Sequence, residues 1–211
     1  MTSRPPPSSV NGRYRLRGRI VGVGFDSGDR VVIGQWDDSP IGPFVDVMWA
    51  EPGGRRLLFA DGQRSADFIR AVYRFDECRI GPISAARDPR TLSVTVADRA
   101  VAVSRGRSLP VFGPRPRWVT RYIEGPIASR LLRVDTYGVS PTGVHEWYQA
   151  RRWAPLRSAT ATIDGVSLGA MAPVDPPCRF GFSEAPRRPS WTEVRPWLYD
   201  PDAHLATVVG E

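Results

Sequence analysis

Between residues 13 and 20 apolar and polar positions alternate strictly, which places Arg13, Arg15, Arg17 and Arg19 on one face of an extended strand and Tyr14, Leu16 and Ile20 on the other. Residues 30 to 36, 44 to 49 and 55 to 59 read as further strands. Their spacers, residues 26 to 29, 37 to 43 and 51 to 54, are rich in Gly, Pro and Asp, the chemistry of turns. The period then changes: Ala66, Ile69, Val72 and Tyr73 recur at helical spacing, with Ser65 placed to cap a short helix. Strands are predicted again over 73 to 83, 91 to 97 and 100 to 104, the last two joined by a tight turn at Asp98 and Arg99. From Trp118 to Leu132 the apolar spacing predicts helical turns broken at Gly125-Pro126. Residues 144 to 153 and 156 to 163 return to strand, and Asp164-Gly165 ends the second of them as a hairpin turn.

These elements predict an α+β, mainly β fold: a curved antiparallel sheet closing into a barrel or cone, with one or two short helices and a C-terminal arm wrapped outside. The chain divides into a disordered lead (1–11), a single barrel-like domain (12–182) and a Pro- and Trp-rich arm (183–211) anchored by Trp191 and Trp197. No stretch approaches the run of about 18 apolar residues that a spanning helix needs, and the amino terminus does not read as a secretory signal. The expectation is a soluble, cytoplasmic protein, with a homo-oligomer compatible with the pattern. Cys78 and Cys178 are expected as lone thiols in a reducing compartment.

Composition changes this picture in one respect. The chain has no lysine, so all 29 of its basic residues are arginine, against 22 acids and a net charge of +7. Imine chemistry on a lysine and a Walker-type phosphate loop are both excluded. The base composition of the gene is one account of this absence; use of the guanidinium fork for anion binding is the other. The Arg13 to Arg19 ladder would span about 20 Å, enough to touch several phosphates. No aromatic residue alternates on that face, so nucleic acid ranks as an unfavoured partner.

Candidate chemistry rests on carboxyls among apolar neighbours. Phe44, Asp46 and Met48 share a strand face, and a carboxyl buried there must pair with arginine or hold a proton. In His145-Glu146-Trp147-Tyr148, Glu146 and Tyr148 share one face and His145 and Trp147 the other. A surface pair between Glu146 and Arg151 or Arg152 is the simpler alternative. His145 and His204 fit no metal-ligand spacing, and no metal or other cofactor is expected. Gly22 to Gly28 departs from the dinucleotide fingerprint, and no Gly-x-Ser-x-Gly elbow occurs.

Residues 39 to 46, Ser-Pro-Ile-Gly-Pro-Phe-Val-Asp, followed by a strand, a Pro-Gly-Gly turn and a second strand, resemble the early segment of the acetoacetate decarboxylase-like β-barrel superfamily. There a Gly-Pro-Tyr-x-Glu stretch lines the barrel, so the resemblance implies Asp46 at the Glu position and Phe44 at the Tyr position. The stretch comparable to the family's lysine segment, residues 71 to 82, contains no lysine. A barrel pocket without decarboxylase chemistry is what the resemblance leaves. The expected function is binding of a small, partly apolar carboxylate by Asp46, Glu146, Phe44, Met48 and Tyr148, with Arg55 or Arg151 as anion clamp. The alternatives are a cofactor-independent enzyme using carboxyl acid–base catalysis (isomerase, hydratase or hydrolase) and a nucleic-acid or anionic-surface binder through the arginine ladder.

Overall fold

A computed structural model describes residues 12–111, 137–182 and 184–210. The predicted lead and the helical turns expected from Trp118 to Leu132 lie outside them. The strands are β1 (Arg13–Arg15), β2 (Arg17–Phe25), β3 (Arg30–Asp38), β4 (Phe44–Ala50), β5 (Arg56–Ala60), β6 (Glu77–Ile80), β7 (Ile83–Arg87), β8 (Thr91–Val96) and β9 (Arg99–Arg105). They continue as β10 (Leu109–Pro110), β11 (Tyr137–Val139), β12 (His145–Trp147), β13 (Ala150–Ile163), β14 (Val166–Ser167), β15 (Met171–Ala172), β16 (Ser190–Val194) and β17 (Trp197–Tyr199). Two short helices, α1 (Gln63–Arg70) and α2 (His204–Val209), complete the described elements.

The main sheet runs in the order β6-β5-β4-β3-β2-β16-β13-β9-β8-β7 and curls strongly into a half-barrel. Its end strands, β6 and β7, do not hydrogen-bond to each other, so the expected closure is incomplete. The mainly β expectation holds, and the pairing is antiparallel except at β5 and β6, which α1 joins as a parallel crossover. The C-terminal stretch goes further than an external arm. β16 enters the sheet between β2 and β13, and Trp191 packs in the inner core.

Local sequence explains the details. Asp164 and Gly165 both have positive φ, as the two-residue turn between β13 and β14 demands. The turn between β8 and β9 falls at Ala97 and Asp98, one residue before the predicted position. Helix α1 begins two residues before Ser65: Gly62 is its N-cap, and Ser65 Oγ accepts the Gly62 N–H at 3.2 Å. The predicted strand over 73 to 83 instead divides into a loop, β6 and the start of β7.

Strands β3, β4 and β5 are buried on both faces, which decides where a site can form. Their inner face contributes Val31, Ile33, Val47, Trp49, Leu57 and Phe59 to an apolar core that fills the half-barrel. Their outer face carries Trp36, Phe44, Leu58 and Ala60, packed against Ala66, Phe68, Ile69 and Val72 around α1 and Leu205 of α2. Phe44 and Phe68 meet edge to face at 6.0 Å. Arg64 ties the helices together by donating to the carbonyls of Val208 and Val209 at 3.2 and 2.7 Å. A four-stranded sheet, β1-β17-β12-β11, completes the outer layer.

Candidate functional site

Asp46 and Glu146 are both wholly buried, in the outer layer. Asp46 lies on β4 with Phe44 and Met48 on the face turned away from the half-barrel, so it does not line the barrel interior as the resemblance implied. Strand alternation alone could not tell the two buried faces apart. Its Oδ1 accepts the Trp36 indole N–H at 2.8 Å, and Oδ2 has no hydrogen-bond partner among the described residues. Burial pushes the carboxyl up to about 7; the Trp36 bond pulls it down and the nearby Asp61 charge pushes it up further.

Glu146 projects inward from β12. Its Oε2 accepts hydrogen bonds from the Tyr73 and Tyr148 hydroxyls at 2.7 and 3.0 Å, while Oε1 has no partner among the described residues. The two hydroxyls also bond to each other. Burial raises the Glu146 carboxyl to about 7 against the downward pull of both phenols. The surface pair with Arg151 or Arg152 does not form: Arg151 donates to Gln149 and Arg152 to Ser108. Both tyrosines titrate well above the usual phenol range, first because their hydroxyls are buried and next because of the Glu146 charge. The Asp46 charge adds a smaller part of the rise at Tyr148.

Of the residues the sequence offered, the structure joins Glu146 and Tyr148 by a hydrogen bond, and it buries Asp46 against Trp36 on the β4 face shared with Phe44 and Met48. Sequence reasoning missed Trp36 and Tyr73. Tyr73 reads in the sequence as the last apolar position of the helical stripe and the start of the strand predicted over 73 to 83, and Trp36 as a strand end. Arg55 does not belong to the group: it is exposed and paired with Glu77. Among the described residues there is no group of His, Cys, Asp and Glu able to hold a metal ion. Cys78 and Cys178 are free thiols, and no helix there is long and apolar enough to cross a membrane.

Four part-buried apolar side chains, Tyr73 among them, join two cores. Ile20, Met48, Tyr73 and Phe75 each touch both the α1 core and a second small core of Val32, Ala50, Val174, Cys178 and Phe180, yet none is fully buried. Phe182 lies 6.4 Å from the Tyr148 ring, and Phe180 lies 5.6 Å from Phe75. The backbone at Gly181 runs so close to Tyr73 that a Cβ there would sit 2.3 Å from its ring. Residues 181 and 182 thus pack against Tyr73 and Tyr148, the two phenols bonded to Glu146.

A separate open cleft of about 280 Å³ lies among Arg19, Arg87, Asp88, Pro89, Arg105, Trp191 and Glu193. Its arginines are already engaged in part: Arg19 pairs with Asp37, and the Arg105 guanidinium lies 5.6 Å above the Trp191 ring.

No protein-family model and no curated protein matches the chain, so the acetoacetate decarboxylase-like resemblance gains no support from them. Among solved structures the chain is similar to a Nitrosomonas europaea protein provisionally assigned as AttH, at 10% identity and a TM-score of 0.37. The match covers 95% of this chain and 59% of that one, so this chain spans well under two thirds of its length.

Proposed function

We propose that the protein binds a small, partly apolar, uncharged molecule bearing a carbonyl or hydroxyl group, at the Glu146, Tyr73 and Tyr148 cluster. The supporting observation is the Glu146 carboxyl: wholly buried, held by two phenols on one oxygen, and without a described partner on the other. A buried polar atom of that kind is costly unless something bonds to it. Phe182 beside Tyr148, and Ile20, Met48 and Phe75, packed against the same two cores as Tyr73, supply apolar surface. An anionic ligand suits the cluster poorly, because its central group is a carboxyl and Arg55 is paired with Glu77 elsewhere. This moves the reading from a carboxylate to a neutral ligand.

The test is thermal unfolding of wild-type and Glu146→Gln protein with a panel of small ketones, alcohols and phenols and their carboxylate counterparts. Neutral members are expected to raise the midpoint of the wild type and to lose that effect in the variant. A panel without effect, or carboxylates acting as strongly as neutral ligands, overturns the reading.

The raised carboxyls favour a second reading, acid–base catalysis without a cofactor. A carboxyl near 7 exchanges its proton at neutral pH, and phenols beside it can steady an oxyanion. In that reading Glu146 removes a proton beside the ligand carbonyl and Tyr148 donates to the oxygen. Deuterium uptake from D2O into a bound ketone, lost in Glu146→Gln, distinguishes it from binding alone.

A further inference from the structure

The open cleft beside Trp191 carries opposite charges that do not meet. Arg19 and Glu193 lie on the strand faces of Val21 and Trp191, whose side chains belong to the inner core, so the cleft sits where that core gives way to solvent at one end of the half-barrel. Arg87 at the end of β7, Asp88 and Pro89 after it, and Arg105 at the end of β9 complete the lining. The link between β7 and β8 is held in place. The Asp88 N–H donates to the Thr91 carbonyl at 3.0 Å, the Arg105 N–H to that of Arg90 at 2.9 Å, and Arg105 Nε to that of Pro89 at 2.9 Å. With its guanidinium 5.6 Å above the Trp191 ring, Arg105 is oriented before any ligand arrives.

Strand register sets Glu193 between two arginines, Arg19 on β2 and Arg152 on β13. It pairs with neither. Arg19 is turned to Gln35 and Asp37, and Arg152 donates to Ser108, which leaves the half-buried Glu193 carboxylate without an ion pair or hydrogen bond among the described residues. The exposed Arg87 guanidinium is likewise without either, and Arg105 has no carboxylate partner there. A ligand that bears both signs can bridge the space between these groups.

We infer that the cleft binds a small zwitterion of the amino-acid type, its carboxylate on the Arg87 and Arg105 guanidiniums and its ammonium on Glu193. A volume of about 280 Å³ suits a metabolite and not a macromolecule. Guanidinium N–H groups match a carboxylate two at a time, and the charge-assisted bonds are the strong ones. The lining also rejects ligands of a single sign: a plain anion meets the Glu193 and Asp88 carboxylates, and a plain cation meets Arg87 and Arg105. Arg19 adds no net charge, being paired with Asp37. Trp191 is 4% exposed, so the floor offers little surface for stacking and recognition rests on charge.

Two-dimensional nitrogen-15 NMR of the full chain tests this, with alanine, serine and glutamine as ligands and propanoate, ethylammonium and inorganic phosphate as controls of a single sign. At least one zwitterion should shift the amides of residues 87, 88 and 193 together and saturate with a Kd of about 10 mM or tighter, about fivefold or more below that of any control. Arg87→Gln and Glu193→Gln should each weaken its binding about tenfold, as the loss of a charge-assisted hydrogen bond requires. Glu193→Gln should also bring propanoate level with alanine, a change in preference that a loss of fold cannot mimic. No saturable shift with any zwitterion, a control bound as tightly, shifts that spare residues 87 and 193, or unchanged affinity in either variant overturns the inference. None of these readouts depends on the Glu146 cluster.

Discussion

Gly34 and Asp46 face each other across β3 and β4, and the Asp46 carboxylate occupies the space that a side chain at position 34 would fill. A Cβ on Gly34 would lie 2.3 Å from Asp46 Oδ1 and 2.8 Å from the Trp36 indole nitrogen. Gly34→Ala is therefore expected to break the Trp36–Asp46 bond and destabilise the protein by about 2–4 kcal/mol in urea unfolding. Adding Asp46→Ala should recover part of the loss. A double-mutant cycle should show coupling of at least about 1 kcal/mol, and additive losses would refute the arrangement.

Both buried carboxyls bind their protons more tightly in the folded state than in the unfolded chain. Asp46 goes from 3.8 to about 7 and Glu146 from 4.5 to about 7. Between those values the folded state holds more protons, so stability falls as pH rises from about 4 to 7 and then levels. At most, Asp46 accounts for about 4.4 kcal/mol of that fall and Glu146 for about 3.4 kcal/mol. Asp76, held at about 2 by Arg56, acts oppositely: its contribution is present above 3.8 and lost on acidification toward 2. Urea unfolding at stepped pH should show the decline, and Asp46→Asn should flatten its share.

Tyr73 and Tyr148 both lower the Glu146 carboxyl against burial. Removing either hydroxyl, as Tyr73→Phe or Tyr148→Phe, should raise Glu146 above about 7 and cost about 1–3 kcal/mol. Carbon-13 NMR of the side-chain carboxyl gives the titration directly. A midpoint that moves down in either variant would show that the phenols do not bond to the charged form.

Period-two alternation was enough to place most strands of the first half and to put Glu146 and Tyr148 on one face, because each has a distinct partner layer. It could not say which buried face of β4 looks into the half-barrel, since Asp46 and Val47 are equally inaccessible. Nor could it find Tyr73, whose role depends on a contact with position 146. The C-terminal prolines concealed β16, whose place between β2 and β13 is fixed by pairing with residues more than 160 positions earlier on one side. The Arg13 ladder also reads as continuous, yet the chain passes from the small sheet to the large one between Arg15 and Arg17. Register across distant strands is the information that local pattern lacks.

The missing lysine becomes testable at Arg99. This residue is 5% exposed, with its guanidinium 4.6 Å above the Trp49 ring and 5.3 Å from that of Phe59, and 3.1 Å from Glu51 Oε1. A planar, weakly hydrated cation can lie flat between two rings and still reach a carboxylate; a compact ammonium cannot make all three contacts. Arg99→Lys is expected to cost about 1–2 kcal/mol, within the range of a desolvated cation–π contact and an ion pair. Arg157→Lys, on an exposed position of β13, should stay within about 0.5 kcal/mol. If both substitutions are silent, the base composition of the gene suffices to explain why lysine is absent. A loss confined to Arg99 assigns guanidinium chemistry to that position and leaves composition to account for the exposed one.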